Sequence, residues 1–114
     1  MNHASYNYVR TFRQRHSLSE DELAFLITQQ SPSAVSKFET GRRLPNLYTA
    51  LALQILFRQE PRQLFPGLYE MVLDELMRRV KELLDRLVGD DPRTVAKREF
   101  LERVPGHVDN EREQ

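Results

Sequence analysis

Apolar residues along this chain recur at helical spacing rather than in alternation, and they fall into segments separated by caps and turns. Tyr8, Val9 and Phe12 place an apolar face on a first helix that fades at Ser17. Ser19 follows as an N-cap with Glu20, Asp21 and Glu22 in the first turn, where a side-chain oxygen and negative charge suit the exposed amides of a helix start. The second helix is expected to turn Leu23, Ala24, Leu26 and Ile27 inward and to end on polar Thr28, Gln29 and Gln30. Ser31 and Pro32 open a third, because serine accepts from first-turn amides and proline at the first helical position sacrifices no needed donor. Gly41 is expected to close it in the left-handed conformation. On the helical wheel Val35, Phe38 and Glu39 share one side, and Ser33, Ser36, Lys37 and Thr40 the other.

Asn46 caps a fourth helix, whose Leu47, Ala50, Leu51, Leu53 and Ile55 are expected in the core, and Pro61 starts a short turn of helix ending at Leu64 and Phe65. Five short helices in about 60 residues can enclose one core. Beyond them Tyr69, Leu73, Leu76, Val80, Leu83 and Leu87 step by four and three residues, the seam of a heptad, widened by Val72, Leu84 and Val88. A helix from Leu68 to Val88 would be roughly 30 Å long and must bury that stripe, either against a second copy of the chain or against its own domain or next helix. Gly89 ends it. Asp91 and Pro92 cap another, with Ala96, Phe100, Leu101 and Val104 on a face that stops before Pro105 and Gly106. The fold class expected is all-α. The expected divisions are a five-helix domain over residues 1–66, a C-terminal helical hairpin serving dimerisation over 67–105, and a disordered tail over 106–114.

Composition narrows the setting. The chain has 114 residues and no cysteine, so neither a disulfide framework nor a cysteine-based zinc site is expected, and the cytoplasm is the simplest compartment. No stretch approaches the roughly 20 apolar residues of a membrane span, and the N-terminus carries no long apolar core, so no membrane partner is expected. The formal net charge is zero, but its halves differ. Residues 1–66 carry eight Lys/Arg against five acids, a net of +3, and the remainder carries nine against twelve, a net of −3. That asymmetry suits a mildly basic working half.

Between residues 6 and 65 the landmarks VRTFRQRHSLS, DELAFLI, SAVSKFETGRRLPNLYTALAL and EPRQLF follow one another in an order that resembles the Cro/C1-type (Xre-type) helix-turn-helix domain. The resemblance implies a five-helix, lambda-repressor-like fold whose third helix enters the major groove of double-stranded DNA, usually as a dimer on a palindrome. It makes Ser33, Ser36 and Lys37 candidates for base contact, and Gln29, Gln30 and Ser31 candidates for phosphate or flanking-base contact. Arg42 and Arg43 correspond to a backbone-contacting loop, and Arg10 to an arginine that pairs with the glutamate at 39. The plainer readings are solvated serines, a charged turn, and Arg13 and Arg15 facing solvent. Two departures stand out: Thr28, Gln29, Gln30 and Ser31 occupy a turn that is usually centred on glycine and is one residue longer here, and Glu20 occupies the slot of a phosphate-bonding glutamine.

Catalysis is not expected. His3, His16 and His107 are scattered without metal-ligand spacing, no Ser, His and acid grouping stands out, and no glycine-rich loop is present to cradle phosphate, so neither metal nor cofactor is expected. The function expected is a homodimeric, sequence-specific DNA-binding regulator, most simply a repressor. The alternative is a protein-interaction module or antitoxin-like autoregulator with weakened DNA contacts, binding a protein partner through its C-terminal helices.

Overall fold

The computed structural model describes residues 6–113, with side chains as far as Val108. Among the described residues the regular structure is helical throughout: α1 (Val9–Arg15), α2 (Glu20–Leu26), α3 (Pro32–Glu39), α4 (Leu47–Phe57), α5 (Pro61–Leu64), α6 (Pro66–Arg86) and α7 (Pro92–Glu113). The chain divides into two compact units, residues 1–72 and 73–114, so the boundary falls inside α6 rather than at Pro66. The reason is local: the first turn of α6 belongs to the first unit, with Leu68 packed on its core and the Gly67 amide bonded to the Tyr6 carbonyl. No described helix is long and apolar enough to cross a membrane.

Local signals account for the ends of these helices. Ser19 and Glu22 form a reciprocal capping box on α2, at 3.0 and 2.9 Å, which holds the Glu22 carboxyl below its ordinary pKa. Asn46 accepts from the Thr49 amide at the start of α4. Ser31 stands at the N-cap of α3 with Pro32 next, but its hydroxyl bonds Ser33 Oγ at 2.8 Å instead of a backbone amide, a correction to the expected cap. At the C-terminus of α3, Gly41 (φ 76°) lets the Arg42 amide reach the Lys37 carbonyl and its own amide the Phe38 carbonyl. Helices α1 and α2 close by the same double bond with Ser17 (φ 58°) and Thr28 (φ 59°) in the left-handed position. A β-branched residue is poorly suited to that conformation.

Val9, Leu23, Ala24, Ile27, Val35, Phe38, Leu53, Phe57, Leu64 and Phe65 form the buried core of the first unit, with Phe12 and Leu18 packed at its edge. Several expected core assignments, in α1, α2 and α4, need correction. Leu26 is half-exposed, because the inward arc of α2 runs through Leu23, Ala24 and Ile27. In α4 only Leu53 of the expected set is buried; Ala50 is half-buried, and Leu47, Leu51 and Ile55 face solvent, while Thr49, Leu53 and Phe57 point inward. Helix α4 is apolar nearly all round, so its pattern defines no face and packing chooses one. Tyr8 likewise leaves the apolar face of α1: it is the exposed N-cap residue, its hydroxyl paired with that of Tyr6.

In the second unit the heptad seam is only half covered. Leu73 and Val80 are buried and Leu87 is partly so, but the alternate positions Leu76 and Leu83 remain 49% and 43% exposed. Helix α6 begins at Pro66 and stops at Arg86, two residues earlier than expected at each end. Its solvent side carries an ion-pair network in which Arg78 bridges Glu75 and Glu82, each at 2.6 Å, and Arg79 adds a second hold on Glu75 at 2.8 Å. Asp91 caps α7 through the Thr94 amide and hydroxyl, which keep the Asp91 carboxyl below its ordinary pKa. Helix α7 then runs through Pro105, where the sequence predicts a stop, and the expected disordered tail continues as helix to Glu113; Gln114 lies outside the described residues. Its half-buried side is Val95, Arg98, Leu101 and Val104, whereas Ala96 and Phe100, expected on that face, are exposed.

Candidate functional site

The residues singled out by sequence gather on and around α3, and three sets of contacts hold that helix in place. The carboxylate of Glu39, at its last turn, has a fully covered side chain and receives two arginines from α1. Arg13 is the principal partner: its Nε donates to Oε2 at 2.6 Å, one terminal nitrogen donates to Oε1 at 3.3 Å, and the other donates to the Leu18 carbonyl at 2.9 Å. Arg10 donates from Nε to Oε1 at 3.2 Å from a largely exposed position. The expectation that Arg13 faces solvent is therefore overturned. Val9 and Arg13 are one helical turn apart on the buried side of α1, a spacing that could have signalled it.

Pairing with Glu39 raises the Arg13 guanidinium above its ordinary pKa, although burial acts in the opposite direction. A buried carboxylate facing a two-pronged guanidinium is a strong, geometrically specific contact, and it leaves a lone buried charge when either partner is removed. The second contact is Asn7, which donates from Nδ2 to the Phe38 carbonyl at 3.0 Å while its Oδ1 accepts from the Val9 amide. The third is Gln29, whose Nε2 donates to the buried Thr49 hydroxyl at 3.1 Å and so fastens the α2–α3 turn to α4. Asn7 and Thr49 carry no sequence signal of these roles, because both partners are distant along the chain.

These bonds sort the expected contact residues. Gln29 is occupied by Thr49, Ser31 and Ser33 by one another, and the Thr40 hydroxyl by the Ser36 carbonyl at 2.9 Å. Gln30, Ser36, Lys37, Arg42 and Arg43 make no side-chain bond among the described residues, and all but the half-buried Ser36 are exposed. Glu20 lies at the start of α2, and its charge contributes to raising Arg13.

The charge balance around this face is one-sided. No Asp or Glu occurs from Leu23 to Phe38 or from Thr40 to Gln59, so the acid between them, Glu39, is the sole one in that stretch and is neutralised internally by Arg13 and Arg10. Lys37, Arg42 and Arg43 thus stand within seven residues as cations without a carboxylate partner among the described residues. Cations so arranged can engage an anionic ligand without first breaking an internal ion pair. Among the described residues no group of three His, Asp or Glu side chains is placed to hold a metal ion. Compared with known proteins, the chain matches no protein-family model, no curated protein and no solved structure.

Proposed function

We propose that this protein is a sequence-specific DNA-binding transcriptional regulator of the Cro/C1 (Xre) helix-turn-helix type, acting as a dimeric repressor. The observation that carries this reading is the cluster Lys37, Arg42 and Arg43, free of carboxylates, at the outer end of a helix whose other face is locked into the core by Phe38 and Glu39. In this reading α2 and α3 are the helix pair, and Ser36 and Lys37 meet base edges in the major groove. Arg42 and Arg43 neutralise phosphates. Gln30 is free to contact a flanking base or phosphate, whereas Gln29, Ser31 and Ser33 serve mainly to shape the turn. The dimeric part of this reading rests on apolar faces that the fold leaves exposed, Leu76 and Leu83 of α6 among them.

A second reading, a protein-interaction module with weakened DNA contacts, is favoured by Phe25, which is 82% exposed on α2 beside Leu26, and by the acidic balance of the chain beyond Pro66. Selection of bound duplexes from a random-sequence pool by the full chain separates the two. The regulator reading expects an enriched palindromic site whose affinity falls steeply as salt rises. It expects joint replacement of Arg42 and Arg43 by alanine to weaken binding to all sequences, and Lys37→Ala to change the preference among them. A pool from which no site emerges rejects the regulator reading.

A further inference from the structure

Among the described residues, helix α4 exposes a continuous apolar ridge without a partner. Leu47, Leu51 and Ile55 follow one another at intervals of four residues, with Leu44 before them and Tyr48 beside them. Their exposures are 74%, 46%, 78%, 54% and 65% respectively. Together they leave on the order of 600 Å² of mainly apolar surface, at the top of the range for the largest patch on an ordinary monomer. That is most of the roughly 800 Å² each partner contributes to a standard interface. From Leu44 to Phe57 the chain carries no charged residue.

We infer that this ridge is a self-association surface, on which α4 of one copy packs against α4 of a second copy across a two-fold axis. Two properties favour a second copy over an unrelated partner. A ridge built on four-residue steps is self-complementary: two such ridges interdigitate when their helices cross at about −50°. A two-fold contact brings identical residues together, which is repulsive for a charged face but not for this uncharged one. The inference concerns the first unit alone and does not rest on the DNA-binding reading.

The cysteine-free chain makes the test direct. Leu51→Cys and Ile55→Cys, each the sole cysteine of the full-length protein, are expected to form inter-chain disulfides on mild oxidation, while a Glu82→Cys control on the solvent side of α6 forms at least tenfold less. In sedimentation over micromolar to submillimolar concentrations, Leu51→Glu with Ile55→Glu is expected to weaken dimerisation at least tenfold while circular dichroism stays that of the native chain. Because both side chains already face water, the fold has no reason to reject the charges. A wild type that is monomeric throughout the range overturns the inference. So does a dimer that survives the α4 charges but is lost in Leu76→Asp with Leu83→Asp, because the contact would then lie on α6.

Discussion

The two units of this chain are built from similar helical material but are stabilised differently. Residues 6–72 contain a ten-residue buried cluster and a buried carboxylate held by two arginines. Between residues 73 and 108 only Leu73 and Val80 are buried, and the ion pairs lie in solvent. The difference teaches that an ion pair takes its weight from its surroundings. Glu39 has left water and depends on Arg13 for compensation, whereas Glu75 keeps its hydration whether or not Arg78 is near. The first unit is accordingly tuned to hold one helix in one position, and the second presents long, partly uncovered apolar faces.

The sharpest test of that contrast is Arg13→Ala, which leaves the Glu39 carboxylate buried with only exposed Arg10 for company. Urea unfolding followed by circular dichroism is expected to show a loss of about 3–5 kcal/mol, against about 1 kcal/mol or less for Arg10→Ala. Equal costs for the two would mean that the buried geometry confers nothing special. Next in size is Thr28→Gly, which relieves a left-handed β-branched residue at the α2–α3 turn. A gain of about 0.5–1 kcal/mol is expected, since steric relief outweighs the greater flexibility of unfolded glycine. No gain would show that the turn is not strained by Thr28.

In the second unit, Glu75→Gln breaks the exposed network, and its expected cost is smaller than that of Arg10→Ala in the same unfolding experiment, because solvent screens the pair. A cost comparable to that of Arg13→Ala would erase the distinction between the units. The finest comparison is acid titration followed by NMR. Arg78 and Arg79 hold the Glu75 carboxyl below its ordinary pKa, while the Ser19 amide and hydroxyl do so for Glu22. For both groups the folded value is the lower one. Their contribution to stability is therefore present above the ordinary carboxylate range and is lost as pH falls through the depressed values. Molar salt is expected to raise the Glu75 value clearly and the Glu22 value little, because ion pairing between exposed side chains is screened more than a short cap bond.

How far the residues themselves announce this architecture varies with the range of the interaction. Ser19 with Glu22, Asn46 with Thr49, Asp91 with Thr94, and Gly41 after α3 are all visible in the chain, because each cap closes within three or four residues of its partner. The opposite faces of α3 are equally visible, since buried Val35 and Phe38 and exposed Ser33 and Lys37 differ in polarity. That Ser33, Ser36 and Lys37 lie on α3 and Arg42 and Arg43 just beyond it is legible in the chain. Which side chains are free is not, because Gln29 is claimed by a hydroxyl twenty residues away.

What the sequence by itself determined is the helical class and nearly all the helix starts, since turns, caps and the 3.6-residue period are local properties of the chain. Only the tertiary structure decided which side of uniformly apolar α4 is buried and that Arg13 rather than Arg10 is the main partner of Glu39. It also decided that α7 continues through Pro105. The first two depend on which surfaces meet across the core, and no local periodicity encodes a meeting between α1 and the end of α3. The third runs against a local preference worth about 3 kcal/mol in a helix interior, so it could not be read from that preference.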